Sequence, residues 1–336
     1  MSFQTNTPQI QTQTSISPAS CKRHVGIFVF DGVQLLDVTG PAEVFHAAGY
    51  ALNLYSPDGN DVTSSAGVRL AVHGAAVDAP VLDTLILAGS DTLPGSRSLL
   101  TALQPALLTL AKDARRIASI CTGAFLLAEA GYLDGLKATT HWRFAPQLRL
   151  QYPRVAVQED SIFIGSGRIF TSAGVTAGID LALALVEEDH GAAAARDVAR
   201  ELVVFMRREG GQSQFASPGE TQRTGDDGLR KIRDAVRANP AAGHSVTDLA
   251  RRAGLSTRQL ARRFQAEWGS PPAKVVAAVR VDVARQMLEA GHSVTSAAMR
   301  SGLGSDETLR RLFGATYGVA PGAYQKRFRS TGNWIT

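Results

Sequence analysis

Cysteine is scarce in this chain: Cys21 and Cys121 are the only two among 336 residues. Two thiols cannot build a disulfide framework, so a reducing compartment, the cytoplasm, is expected. Long apolar runs are also missing. No stretch approaches the ~18 residues needed to span a bilayer, so no membrane association is expected. Residues 1–20 are rich in Gln, Thr and Ser and lack both a basic start and an apolar stretch. That composition excludes a secretory signal and reads as a disordered extension over 1–22. His-x-Glu does not occur either. No cofactor and no metal site are expected.

Charge is present but unevenly placed. Residues 1–224 carry 17 Lys+Arg against 21 Asp+Glu, net −4, while residues 225–336 carry 18 against 9, net +9. A basic C-terminal third beside a mildly acidic front fits a nucleic-acid-binding module joined to something else.

That basic third repeats itself. His244-Ser-Val-Thr and His292-Ser-Val-Thr open two parallel segments. Gly254-Leu255 then answers Gly302-Leu303, Leu260 answers Leu309, Phe264 answers Phe313, and Pro272 answers Pro321. Each copy reads as two short helices around a glycine turn, a helix-turn-helix. Ser245-Val-Thr-Asp248 and Ser256-Thr-Arg-Gln259 have the capping-box pattern. In the first copy Leu260, Phe264 and Trp268 fall on one helical face. Thr257, Arg258, Ala261, Arg262 and Arg263 are left facing outward. Arginine can fork onto guanine O6 and N7, and alanine can meet a thymine methyl. Recognition helices present their N-terminal residues to base edges, which favours Arg258 and Arg262. The second copy offers Asp306, Glu307, Arg310 and Arg311, a mix better suited to anchoring on the backbone than to base choice. Residues 273–290 predict a longer helix joining the two units rigidly.

Residues 24–210 alternate strand-like and helix-like segments. Continuous apolar runs at 25–30, 52–56, 84–88 and 117–120 predict parallel strands covered on both faces. Helices are expected at 41–48, 98–112, 122–130 and 174–190, with helical composition continuing to Arg208. Segments 155–158, 162–165 and 169–171 suggest a short antiparallel addition. The fold class is thus α/β, a doubly wound, mostly parallel, flavodoxin-like sheet over 23–211. A Gly/Ser/Pro/Gln-rich linker, 212–228, then leads to an all-α domain with two helix-turn-helix units, 229–330.

Cys121 sits where a strand, Ile117-Ala-Ser-Ile120, runs into a helix. Such an elbow exposes a nucleophile, and the helix N-terminus can lower a thiol pKa. Leu87-Ala-Gly89 could add a backbone donor. Asp37 and His141 are candidate partners of the thiol. A cysteine with a nearby base is the minimum for nucleophilic catalysis.

Residues 229–329 resemble the DNA-binding domain of AraC/XylS regulators, through Ser301-Gly-Leu-Gly-Ser305, Phe313, Tyr317-Gly-Val-Ala-Pro321 and Tyr324. Leu303 and Leu312 depart from the family's usual residues there. Residues 24–210 resemble the ThiJ/PfpI group of the class I glutamine amidotransferase-like fold. The stretches concerned are 31–45, Cys121-Thr-Gly-Ala and 171–180. The fusion is similar to GlxA/AdpA-type regulators, and the match extends to Gly210-Gly-Gln-Ser-Gln-Phe215. The resemblance implies two recognition helices in successive major-groove segments, with Arg258, Arg262 and Arg311 as contact candidates. It matches Cys121 to the elbow cysteine, Asp37 to the acidic residue beside it and His141 to the pocket histidine. It also implies that the front domain senses and dimerises and is not a working enzyme. Expected partners are double-stranded promoter DNA and a second copy of the chain, with a small-molecule effector and RNA polymerase as further candidates. The alternative is a hydrolase or amidase using Cys121, or a redox sensor using the same thiol.

Overall fold

A computed structural model describes residues 23–206, 210–215 and 227–328. The 1–22 extension and most of the expected linker, 216–226, lie outside the described residues.

The N-terminal part contains strands β1 (His24–Phe28), β2 (Ala51–Ser56), β3 (Val62–Thr63), β4 (Arg69–Leu70), β5 (Gly74–Ala75), β6 (Thr84–Leu87) and β7 (Arg116–Ile120), followed by β8 (Lys137–Ala138), β9 (Ala156–Val157), β10 (Phe163–Ser166) and β11 (Ile169–Ser172). Its helices are α1 (Leu35–Ala47), α2 (Arg97–Ala111), α3 (Gly123–Glu129), α4 (Ala145–Gln151) and α5 (Ala177–Glu201). Seven strands form one sheet in the order β10-β11-β7-β6-β1-β2-β5. Every pairing is parallel except β10 with β11. The apolar residues of β1, β6 and β7 are buried, as continuous apolar strands between two helical layers require. The chain leaves β1 toward β2 on one side and returns to β6 on the other. Ligands of such sheets bind outside the carboxyl ends at this switch point. The first turn of α1, which follows β1, and the loops after β6 and β7 carry Asp37, Gly89 and Cys121 to that end.

Three elements differ from the sequence expectation. Helix α1 starts at Leu35, not near 41, because packing overrides the break that Gly40-Pro41 signals. A Cβ on Gly40 would lie 3.0 Å from Ile179, and one on Gly178 3.2 Å from Pro41, so these glycines let α1 and α5 approach closely. Helix α5 ends at Glu201, not Arg208, and breaks at Gly191 (φ 82°, ψ 165°). Strand β9 does not join the antiparallel addition; it pairs in parallel with β8 in a separate ladder.

At the opposite end of the sheet, Asp189 is buried among cations. Its carboxylate accepts from Arg23 (2.8 Å), Arg115 (2.9 Å), Tyr50 (2.6 Å) and Arg116. Four acceptor contacts compensate the desolvation of a carboxylate and of Arg116, which is 2% exposed.

The C-terminal part is helical: α6 (Asp227–Ala238), α7 (Val246–Arg252), α8 (Thr257–Trp268), α9 (Pro272–Glu289), α10 (Val294–Arg300), α11 (Asp306–Tyr317) and α12 (Pro321–Phe328). The repeat reappears as repeated caps. Ser245, Ser256, Ser293 and Ser305 each accept a backbone N–H at a helix start. Gly269 and Gly318 close α8 and α11 in the left-handed region, which a side chain would strain. The two lobes have separate cores around Leu260/Phe264 and Leu309/Phe313. They share α9, where Asp282 is buried, bonds Arg285 at 2.9 Å and pairs with Arg237 of α6. Arg285 bonds Glu289 at 2.6 Å, and Glu289 accepts from Tyr324 of α12 at 2.6 Å. No helix among the described residues is long and apolar enough to cross a membrane.

Candidate functional site

The turn between β7 and α3 holds Cys121 at φ 55°, unusual for a residue with a side chain. Neighbours clamp it there. Its N–H donates to the Ser172 and Ala173 carbonyls (3.2 Å each), and its carbonyl accepts from Thr140 Oγ1 (2.7 Å). Thr122 Oγ1 donates to the Ser90 carbonyl (2.7 Å) and accepts from the Ser90 N–H (2.8 Å). A Cβ on Gly123 would come 2.3 Å from the Leu87 carbonyl oxygen, so only glycine fits the first residue of α3.

Asp37 lies fully buried beside this elbow. Oδ2 accepts from the Gly89 N–H (3.0 Å) and Oδ1 from the Val175 N–H (3.1 Å). Burial nevertheless outweighs those two donors and pushes its pKa up to about 7. The Gly89 N–H, expected to serve as a backbone donor beside the thiol, is already committed to Asp37.

Burial pushes the Cys121 thiol well above its usual range, and the Asp37 charge adds to the effect. The protonated thiol is a poor nucleophile, and the expected helix-terminus activation does not prevail. His141 is half-buried; burial first, and then the Arg143 charge, hold its pKa below the ordinary value. Its Nδ1 accepts from the Arg143 N–H at 3.2 Å. A Cβ on Gly174 would lie 2.1 Å from the His141 ring and 3.2 Å from Cys121 Sγ. Gly174 thus gives both side chains their room. The structure brings Asp37, Cys121 and His141 to one end of the sheet. A cavity of about 190 Å³ opens beside His141, walled also by Trp142, Gly174, Val175, Gln212 and Phe215.

On α8, Leu260 and Phe264 point inward, while Thr257, Arg258, Arg262 and Arg263 are exposed and Ala261 is half-exposed. Arg258 and Arg262 form no ion pair among the described residues. On α11, Glu307, Arg310 and Arg311 are exposed. Asp306 instead accepts from Thr295 Oγ1 of α10 at 2.9 Å, which ties the two helices of that unit together.

Residues 23–188 match the DJ-1/PfpI family, and residues 249–327 match a helix-turn-helix domain family. The HTH-type transcriptional regulator CdhR of Pseudomonas aeruginosa is 31% identical over 264 residues, 78% of this chain and 77% of that protein. The chain belongs to the AraC-type regulators that carry an N-terminal DJ-1/PfpI domain. As a member of these AraC-type regulators it is a DNA-binding transcriptional regulator. Isonitrile hydratase of Pseudomonas putida is 36% identical over 169 residues, 49% of this chain and 71% of that protein. A solved AraC family transcriptional regulator from Pseudomonas putida has a TM-score of 0.48 and 21% identity, covering 54% of this chain and 99% of that one.

One feature of this AraC-type regulator escaped the sequence reading. Gln212 and Gln214, placed in the polar linker by composition, form a 3-10 turn and are 2% and 4% exposed. The glycines at 210 and 211 were the available signal. They mark close approach of backbone as readily as they mark flexibility.

Proposed function

We propose that this regulator reads sequence chiefly through α8, anchors through α11, and takes a small metabolite at the elbow end of its DJ-1/PfpI domain, which also dimerises. The observation that carries the DNA assignment is the pair of exposed arginines, Arg258 and Arg262, on a helix whose opposite face is locked into a core. Acidic Glu307, and Asp306 already engaged by Thr295, support an anchoring role for Arg310 and Arg311. Dimerisation would raise the effective concentration of the second DNA module and favour paired sites. RNA polymerase contact and a cytoplasmic, nucleoid-associated location belong to the same proposal.

The test is to incubate the full-length protein with fragmented genomic DNA at about physiological salt and sequence what it retains. An enriched motif with two elements about 10 base pairs apart supports tandem major-groove reading. Retention without any sequence preference would overturn it.

Catalysis at Cys121 is the second reading, favoured by the positive φ of the elbow and by the name of the hydratase relative. It predicts turnover of an isonitrile or amide that Cys121→Ala abolishes while DNA binding persists. Peroxide sensing is disfavoured, because Cys121 is buried and that burial, with the Asp37 charge, pushes its thiol up.

A further inference from the structure

The segment Gly210–Phe215 is bonded to both halves of the chain. Gln212 inserts into the N-terminal domain. Its Oε1 accepts from the Trp142 N–H (2.8 Å). Its Nε2 faces Thr139 Oγ1 (3.1 Å) and the carbonyls of Thr140 (2.9 Å), Glu159 (3.2 Å) and Ser161 (3.0 Å). The Gln212 N–H donates to the Asp160 carbonyl (2.9 Å), and the Ser213 N–H to Asp160 Oδ1 (2.7 Å). A Cβ on Gly211 would lie 2.2 Å from Asp160, so the backbone is pressed against that loop.

Two residues later the bonding switches to the DNA-binding module. Gln214 Oε1 accepts from Arg327 at 3.3 Å, and its carbonyl lies 3.3 Å from Tyr324 Oη, whose one proton goes to Glu289 at 2.6 Å. The Phe215 ring packs edge-on against Phe328 with centroids 5.6 Å apart. A Cβ on Gly210 would lie 2.9 Å from the Tyr317 carbonyl oxygen, and one on Gly318 2.9 Å from Gly210 Cα. Tyr317 and Gly318 end the second recognition helix. Tyr324 donates to Glu289, whose partner Arg285 bonds Asp282 on α9. Gln212 and Phe215, at the two ends of this turn, both wall the cavity beside His141.

We propose that Gly210–Phe215 is a strap that couples the His141 cavity to the second helix-turn-helix unit. It rests on the regulator reading and names its means of regulation. A ligand in the cavity touches Gln212 and Phe215 directly, so it acts on the bonds that hold α11 and α12 against the N-terminal domain. Only a ligand that binds the strapped and released arrangements with different affinity shifts their balance. Among the described residues the bonds from the strap to the DNA-binding module reach α11 and α12, so coupling falls on the second helix-turn-helix unit.

Amide hydrogen exchange on the full-length protein tests the strap without DNA or ligand. Gln212→Ala should raise exchange in α12 and the last turn of α11 about tenfold, the effect of losing one to two net hydrogen bonds, and leave α7–α8 unchanged. Coupling is reciprocal, so Phe215→Ala should raise exchange at Thr139–Trp142 by a similar factor. A rise confined to the mutated side, for either variant, overturns the proposal. Should Gln212→Ala fail to fold, the Phe215→Ala arm decides alone. Failure of the genomic DNA selection leaves this result standing and removes only its link to transcription.

Discussion

Asp37 makes the stability of the N-terminal domain depend on pH in a direction opposite to that of most carboxylates. Its pKa moves from 3.8 to about 7 on folding, driven by burial. Between those values the folded domain holds a proton that the unfolded chain has released. The unfolded state binds fewer protons there, so stability falls as pH rises, beginning above about pH 4 and levelling off above about pH 7. About 3 pH units at about 1.4 kcal/mol each give about 4 kcal/mol in total. Asp37→Asn removes the titration. It also turns an amide N–H toward the Gly89 or Val175 donor, a pH-independent cost of about 1–3 kcal/mol. The slope is therefore the diagnostic quantity, not the offset. In urea unfolding followed by Trp142 fluorescence, the wild-type chain should lose about 3 kcal/mol relative to Asp37→Asn between about pH 5 and about pH 8. Parallel pH profiles would refute the reasoning. They would mean that the two backbone donors overcome desolvation and keep Asp37 ionised in the folded state.

Other expectations are more local. Arg258→Ala should relax preference at particular base pairs, losing about 1–3 kcal/mol of discrimination in competition binding against altered sites; an unchanged preference would show that α8 does not read bases. Asp189→Ala should leave buried Arg116 with only the looser 3.6 Å contact to exposed Glu188 and cost about 3–5 kcal/mol in chemical unfolding. A loss near zero there would mean that the cation cluster is hydrated in solution. Gly174→Ala should force His141 away from Cys121 and lower the N-terminal domain's stability by about 1–3 kcal/mol. Calorimetry of the N-terminal transition checks this; an unmoved transition would show that the His141 ring swings aside at no cost.

The helix-turn-helix units were legible because their signals are local. A serine cap, a glycine turn and an apolar face at helical spacing all lie within a dozen or so residues of each other. The buried apolar strands were legible for the same reason. What escaped required partners distant in the chain. Asp189 meets Arg116 across 73 residues, and no local pattern marks either as buried. Gln212 looks like linker until the Thr139 hydroxyl and the carbonyls of Thr140, Glu159 and Ser161 surround its amide. Gly89 reads as a spare backbone donor until Asp37, 52 residues earlier, is seen to occupy it. The α1 start at Leu35 depends on the packing of α1 against α5, whose residues lie more than 130 positions further along the chain.

Helix α9 has a consequence for the DNA itself. Asp282 pins α6 to the middle of that helix and Glu289 pins α12 to its end, so the two helix-turn-helix units are mounted on one shaft. Inserting a single base pair between their target elements moves the second element by about 3.4 Å and turns it by about a tenth of a revolution. A flexible joint would absorb that change; this shaft does not. Promoters read by this protein should thus tolerate altered bases within an element far better than an altered gap between elements, and the gap length becomes the part of the site that the protein measures as a ruler.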